Sequence, residues 1–189
     1  MDNLFSINIC RKNLNINNKS ILKHILNLKK NTKGRKISNI TGWQSLNFNL
    51  KENIFSELNK QISVSFIEYI DQIPLKNSFK ISAMWTNINS YKDYNLVHGH
   101  GDSVISGAYY LKVPKNSGKL FFMNPALEGI EYTWGKCIEK FTEQNSSYSA
   151  VDVTENDLIL FPSWLRHGVE PNLNKKEGRI SISFNISIV

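Results

Sequence analysis

The last eleven residues, RISISFNISIV from Arg179 to Val189, constrain this chain more than any other stretch. Side chains alternate across a strand with a period of two, so Ile180, Ile182, Phe184, Ile186 and Ile188 face one way and Arg179, Ser181, Ser183 and Asn185 the other. A half-exposed strand would turn its polar set to water. A strand covered on both faces would line a polar cavity with it. Helices packed outside a barrel would bury the isoleucine face and leave Arg179 and Ser181 pointing into a pocket.

The rest of the chain supports the covered alternative, because its hydrophobic period changes near residue 78. Before that point Ser20 can cap a helical run with Ile21, Leu22, Ile25, Leu26 and Leu28 on one broad side. A second run of the same period, Ile54, Phe55, Leu58, Ile62, Phe66, Tyr69, Ile70 and Ile73, ends before Pro74. From Phe79 onward the runs are short and β-rich: 80–87, 104–113, 120–123, 148–153, 158–161 and 180–189. Turn chemistry separates them at Pro114–Gly118, Asn124-Pro125, Glu155–Asp157 and Pro171–Gly178. Leu4 to Cys10, with Phe5, Ile7 and Ile9 alternating, adds an edge strand. The expected fold is mainly β with flanking helices: a double-stranded β-helix, jelly-roll or cupin-like. With 189 residues and no linker or repeat, the chain reads as a single domain over 1–189, in which 1–78 give helical support and the edge strand and 79–189 the barrel core.

Composition excludes several classes. Hydrophobic residues at 41% allow a real core and exclude a disordered chain. No run approaches the roughly 20 apolar residues of a membrane span, and the first residues lack a basic-then-apolar leader. Cys10 and Cys137 are too few for a disulfide framework and read as free thiols in a reducing compartment, which places the protein in a cytoplasm. The formal charge of +7 is concentrated between Lys19 and Lys36, where the lysines alternate with Ile and Leu as the wet face of a helix. The same charge is compatible with nucleic acid, an acidic peptide or a phosphorylated metabolite as partner.

Three of the four histidines fall in two clusters, His98-Gly99-His100-Gly101-Asp102 and Arg166-His167; His24 belongs to the first helix. Imidazoles two residues apart on an extended segment share a face, so His98 and His100 can converge on one ion, as can His100 and Asp102. A third ligand from another strand completes a three-ligand face that leaves positions open for substrates, as in non-haem Fe(II) oxygenases. A His-x-His pair alone is a weak signal. Arg179, twelve positions after His167, strengthens it: a guanidinium at pocket depth clamps a carboxylate through two parallel hydrogen bonds, which suits a dicarboxylate cosubstrate.

WTNINSYKDYNLVHGHGDSVISGAYYLKVPKNSGKLFFMNP, from Trp85 to Pro125, and DLILFPSWLRHGVEPNLNKKEGRISISFN, from Asp157 to Asn185, together resemble the 2-oxoglutarate/Fe(II)-dependent oxygenases found in phages and marine bacteria. The compound pattern of His-x-His, Ser-Gly-x-Tyr-Tyr, Phe-Pro-Ser-Trp-Leu-x-His and Arg-Ile-Ser-x-Ser-Phe-Asn is far more specific than any component. The resemblance implies a double-stranded β-helix using Fe(II), 2-oxoglutarate and dioxygen, with succinate, carbon dioxide and a hydroxylated product as the usual outcome. Related prolyl hydroxylases carry a Tyr-Tyr-Leu strand similar to Tyr109-Tyr110-Leu111, which implies that the Tyr110 hydroxyl helps Arg179 and Ser181 hold 2-oxoglutarate. The family reads His-x-His-Pro where this chain has Gly101 and then Asp102. Two ligand sets stay open: His98, His100 and His167, with Gly101-Asp102 as a two-residue hairpin turn and Asp102 orienting an imidazole, or Asp102 with His100 and His167, as in the His-x-Asp of the wider superfamily.

Trp85, Phe161, Trp164 and Phe184 read as core or barrel-mouth packing, Gly107 as a close backbone approach, Tyr109 as structural, and Asn87 and Asn95 as candidates to face the pocket. The stretch 126–147 reads as a lid. Two other function classes share much of this pattern. A cupin-type metal enzyme that does not use 2-oxoglutarate needs neither Arg179 nor Tyr110, and a non-catalytic phage accessory protein needs no iron.

Overall fold

The computed structural model describes residues 6–73, 75 and 78–189. In chain order the strands are β1 (Cys10–Asn13), β2 (Asn39–Ile40), β3 (Trp43–Gln44), β4 (Phe79–Asn89), β5 (Tyr94–His98), β6 (Ile105–Lys112), β7 (Leu120–Met123), β8 (Tyr148–Val151), β9 (Asp157–Pro162), β10 (His167–Val169) and β11 (Arg179–Ile188). The helices are α1 (Lys19–Asn31) and α2 (Ser56–Ile70), the latter entered through a 3₁₀ turn at Asn53–Phe55. Two antiparallel sheets form, one in the order β1-β9-β6-β11-β4-β3 and one in the order β2-β5-β10-β7-β8. This is the double-stranded β-helix expected from the alternating runs.

The helices lie on the six-stranded sheet. Ile21 and Ile25 of α1 and Leu58, Ile62, Phe66 and Tyr69 of α2 share one apolar cluster with Met84, Ile88, Tyr109, Leu158, Leu160, Ile180, Ile182, Phe184 and Ile186. The three- and four-residue spacing of the helical set puts it on one face, and the two-residue spacing of the β11 set does the same. Burying a face of this kind contributes about 1.5–3 kcal/mol per large side chain. Gly107 on β6 sits where a Cβ would collide with the Phe184 ring, so only a glycine lets the ring cross that strand.

Some expectations move. Ser20 lies inside α1 rather than at its cap. Asn18 precedes the helix, and its side chain bonds Asn156 and the Tyr109 hydroxyl instead of capping. Leu26 is exposed because the apolar side of α1 narrows to Ile21 and Ile25. The edge strand forms at Cys10–Asn13 against β9, later than the alternation of Phe5, Ile7 and Ile9 suggests; Leu4, Phe5 and Pro74 lie outside the described residues. What holds the edge there is polar: Arg11 and Asn13 both donate to the Asp157 carboxylate, at 2.8 and 3.2 Å. The strands β2, β3 and β10, of two or three residues, are too brief to show a period, and β5 shows none because it buries Asn95 and exposes Leu96.

Candidate metal centre

The metal candidates sit where the chain crosses between sheets. His98 ends β5 and is the register partner of His167, which begins β10. His100 follows on the crossover from β5 to β6, where its backbone N–H donates to the Ser163 carbonyl at 2.9 Å. Ser163 belongs to the crossover from β9 to β10, and its own N–H donates to Val104. The two crossovers therefore hold each other and fix His100 beside the paired strands. One ring nitrogen from each of His98, His100 and His167 lies within 4.8 Å of the others.

Two of the three rings are locked in tautomer and direction. His98 Nδ1 donates to the Leu96 carbonyl at 2.7 Å and His167 Nδ1 to the Leu165 carbonyl at 2.9 Å, which leaves each Nε2 as the free donor to an ion. Burial pushes the His167 imidazolium down to about 3 and that of His100 to about 4, with the neighbouring imidazoles adding to each shift; His98 is lowered by burial too. All three rings are neutral at pH 7, the form that ligates metals. Asp102 lies outside this cluster: its carboxylate is exposed, and Gly101-Asp102 form a turn. That turn joins β5 of one sheet to β6 of the other, so it is a crossover rather than a hairpin.

The cavity beneath the imidazoles is lined by Trp85, Asn87, Asn95, Tyr110, Arg179 and Ser181. Arg179 is 2% exposed, and its Nη1 donates to the Gly118 carbonyl at 3.0 Å. Among the described residues no carboxylate lies within 4 Å of it. Burial lowers its pKa, against smaller opposing effects of Tyr110 and Glu170. Tyr110 is fully buried on the same wall; burial raises its phenol and the Arg179 charge pulls it back. A buried cation with one neutral partner is costly unless an anion completes it. Asn87 Oδ1 is a second unsatisfied group, buried without a hydrogen-bond partner while its Nδ2 reaches Ser183 Oγ. Tyr109, by contrast, points into the helical core and bonds Asn18 and Asn156.

Arg179 and Ser181, expected from strand parity, Tyr110, expected from the resemblance, and Asn87 and Asn95, expected from their nearness to the histidine segment, all line the cavity. Ser38 and Arg35 were not singled out, because the segment 1–78 reads as helical support; Trp85 was read as packing, although it faces both the cavity and an adjoining cleft. The one signal for Arg35 was its place in the basic run. Trp164 is 60% exposed and lines a separate recess with Pro125, Leu127 and Arg166. The stretch 126–147 holds two short helical turns, Leu127–Gly129 and Ile130–Trp134, and exposes Tyr132, Trp134 and Phe141.

Known proteins agree with this architecture. The chain's residues 83–185, just over half its length, match the family model described as "Putative 2OG-Fe(II) oxygenase". Among curated proteins none matches in sequence. Solved structures do match: a Pseudomonas putida prolyl-4-hydroxylase has a TM-score of 0.68 at 10% identity, over 97% of this chain and 94% of that one. HygX from Streptomyces hygroscopicus, with nickel and 2-oxoglutarate bound, has 0.66 at 10% identity over 97% and 83%. The viral collagen prolyl hydroxylase of Paramecium Bursaria Chlorella virus-1, a 2-oxoglutarate complex, has 0.61 at 12% identity over 96% of both chains. At such identities these neighbours speak for the fold, while the family match speaks for the chemistry. The chain belongs to the 2OG-Fe(II) oxygenase family and is a non-haem Fe(II), 2-oxoglutarate-dependent oxygenase.

Proposed function

We propose that His98, His100 and His167 hold the Fe(II), that Arg179, Tyr110 and Ser181 hold the distal carboxylate of 2-oxoglutarate, and that the reaction hydroxylates a primary substrate. The observation that carries this reading is the buried Arg179 guanidinium, without a carboxylate partner among the described residues, facing the same cavity as three convergent neutral imidazoles. The donor set fits the groups it would take. Neutral imidazole nitrogens suit Fe(II), and a planar guanidinium with a phenol beside it suits a carboxylate. Iron with bound 2-oxoglutarate supplies the dioxygen activation and the oxidising power.

The chain's own contributions are positional. The Leu96 and Leu165 carbonyls keep two Nε2 lone pairs aimed inward, so metal binding displaces no proton from those rings. Arg179 is held by the Gly118 carbonyl and by its place at the start of β11, so the anion meets a fixed fork. Asn87, with its free Oδ1, offers an acceptor to a water or hydroxyl in the cavity. Phe161 and Phe122 pack on the buried His167 ring, and Trp85 sits beside His100, while His98 and His100 keep a partly open side toward the cleft.

Anaerobic addition of Fe(II) and 2-oxoglutarate should give a weak visible charge-transfer band, lost in Arg179→Ala. A band that survives the substitution removes the role assigned to Arg179. Free Cys10 and Cys137 support a reducing, cytoplasmic setting, and no helix among the described residues is long and apolar enough to cross a membrane.

A further inference from the structure

Beside the metal centre a second recess opens. It is a cleft of about 450 Å³ that shares Trp85, His98 and His100 with the cavity and is walled besides chiefly by Arg35, Ile37 and Leu96, with Gln44 and Asn47 behind. A molecule resting there touches two of the three imidazoles, as a primary substrate must. Its wall is of two kinds. Ile37, 65% exposed, and Leu96, 48% exposed, offer apolar surface with no partner, while Arg35 offers charge.

Arg35 is deliberately placed. Gly34, at φ +66°, brings the chain in where a Cβ would meet Gln44 O and the Trp43 ring. Arg35 N–H then donates to Gln44 O at 2.8 Å. Asn39, 2% exposed, ties the following turn together: its Nδ2 donates to the carbonyls of Arg35 and Gly42, and its Oδ1 accepts from Ile37 N–H. The guanidinium lies 5.9 Å over the Trp85 ring, which is 5.9 Å from the His100 ring. Nη2 donates to Asn47 Oδ1 at 2.7 Å, Nε is buried without a partner, and among the described residues no carboxylate neutralises the charge. Desolvation lowers the Arg35 pKa, as expected of a cation lacking a counter-ion.

The surrounding charge points the same way. Residues 3–51 hold no Asp or Glu; of their ten Lys and Arg, Arg11 and Lys12 are paired with Asp157 and Glu68 on β1 at the far edge of the sheet, and those next to the cleft are Lys33, Arg35 and Lys36. Lys33 and Lys36 flank Arg35, both exposed. A field of one sign at a cleft raises the local concentration of the opposite sign. Arg35, Gln44 and Asn47 also lie outside residues 83–185, so this wall belongs to the chain and not to the shared family core.

From these observations we infer that the primary substrate is an amphipathic anion, with an apolar body lying along Ile37, Leu96 and Trp85 and a carboxylate or phosphate received by Arg35. The inference rests on the oxygenase reading of the neighbouring cavity. Arg35 is a binding residue in it, two ring-lengths from the iron ligands, and sets which part of the substrate lies over the metal.

The test uses the full chain loaded anaerobically with Fe(II) and saturating 2-oxoglutarate, so that Arg179 is occupied. The charge-transfer band is recorded first in every sample. Phenyl phosphate, phenylacetate and the neutral phenylacetamide are then titrated by calorimetry. At least one anion should bind tenfold or more tightly than the neutral probe, Arg35→Gln should abolish that preference, and Arg35→Lys should retain part of it. The tighter anion tells phosphate from carboxylate. Equal binding of neutral and charged probes, binding of none, or a preference that survives in Arg35→Gln overturns the inference. Loss of the band in the unaltered protein strikes the cofactor assignment instead, and is read before any probe is added.

Discussion

The two faces of β11 do opposite work. On one, Ile180, Ile182, Phe184 and Ile186 enter the apolar cluster beneath α1 and α2. On the other, Arg179, Ser181 and Ser183 line the cavity, one residue out of phase. The apolar face holds its neighbours by area, an effect that tolerates small displacements. The polar face depends on direction, because a guanidinium and a hydroxyl serve an anion only when aimed. Packing on one side thus fixes the geometry on the other. The register of β11 shifts twice, at Asn185/Ile186 against β4 near the far end of the strand and at Ile180/Ser181 against β6, between the first two cavity residues.

The strongest way to break this comparison is at the metal end of the cavity. His167→Ala should lower turnover of 2-oxoglutarate to succinate by at least about 100-fold and abolish the charge-transfer band, and because the buried ring also packs on Phe161 and Phe122 the thermal midpoint should fall as well. Next, Ile182→Ala on the opposite face, fully buried and outside the cavity lining, should cost about 2–5 kcal/mol in denaturant unfolding, while the folded fraction binds 2-oxoglutarate within about threefold of normal. Arg179→Met separates the faces most sharply. Affinity for 2-oxoglutarate should fall by about 30- to 150-fold, the loss of a charge-assisted pair worth roughly 2–3 kcal/mol, while stability stays level or rises, since a buried charge is exchanged for an apolar chain.

Two smaller effects sharpen the same contrast. Asp102→Asn should change Fe(II) affinity by less than about twofold in a metal-competition titration, since its carboxylate is exposed and outside the imidazole cluster; a collapse of affinity would restore the carboxylate ligand set. At the sheet edge, burial opposes ionisation of Asp157, but the Thr154 N–H, the Asn13 amide and Arg11 outweigh it and hold the carboxyl below its ordinary value. A depressed folded pKa means stability that is present at neutral pH and lost as pH falls through that lowered value. Protection factors at Cys10–Asn13, corrected for the slowing of intrinsic exchange in acid, should therefore fall on acidification before those of the helical core, an effect of about 1 kcal/mol or less with Arg11 half-exposed.

Long periodic elements were legible before any coordinates. β4, β6 and β11 and the second helix fall within a few residues of their runs, and Tyr109 and Tyr110 diverge as strand parity requires. The two- and three-residue strands were not legible, because so few side chains cannot display a period. Arg35 was passed over because a lysine-rich segment looks the same whether it is solvated or bent over a cleft. The difference lies in Gly34 and Asn39, whose roles depend on partners at Gln44 and Gly42.

By itself the sequence determined the barrel, its helical cover and the kinds of groups lining its interior, since hydrophobic period and the need to bury an apolar face are local properties of the chain. Tertiary structure alone decided which ligand atoms converge and where the substrate wall stands. His98 and His167 are 69 positions apart, and their meeting is set by the register of β5 against β10 and by two crossovers bonded to each other, long-range pairings that no local pattern encodes.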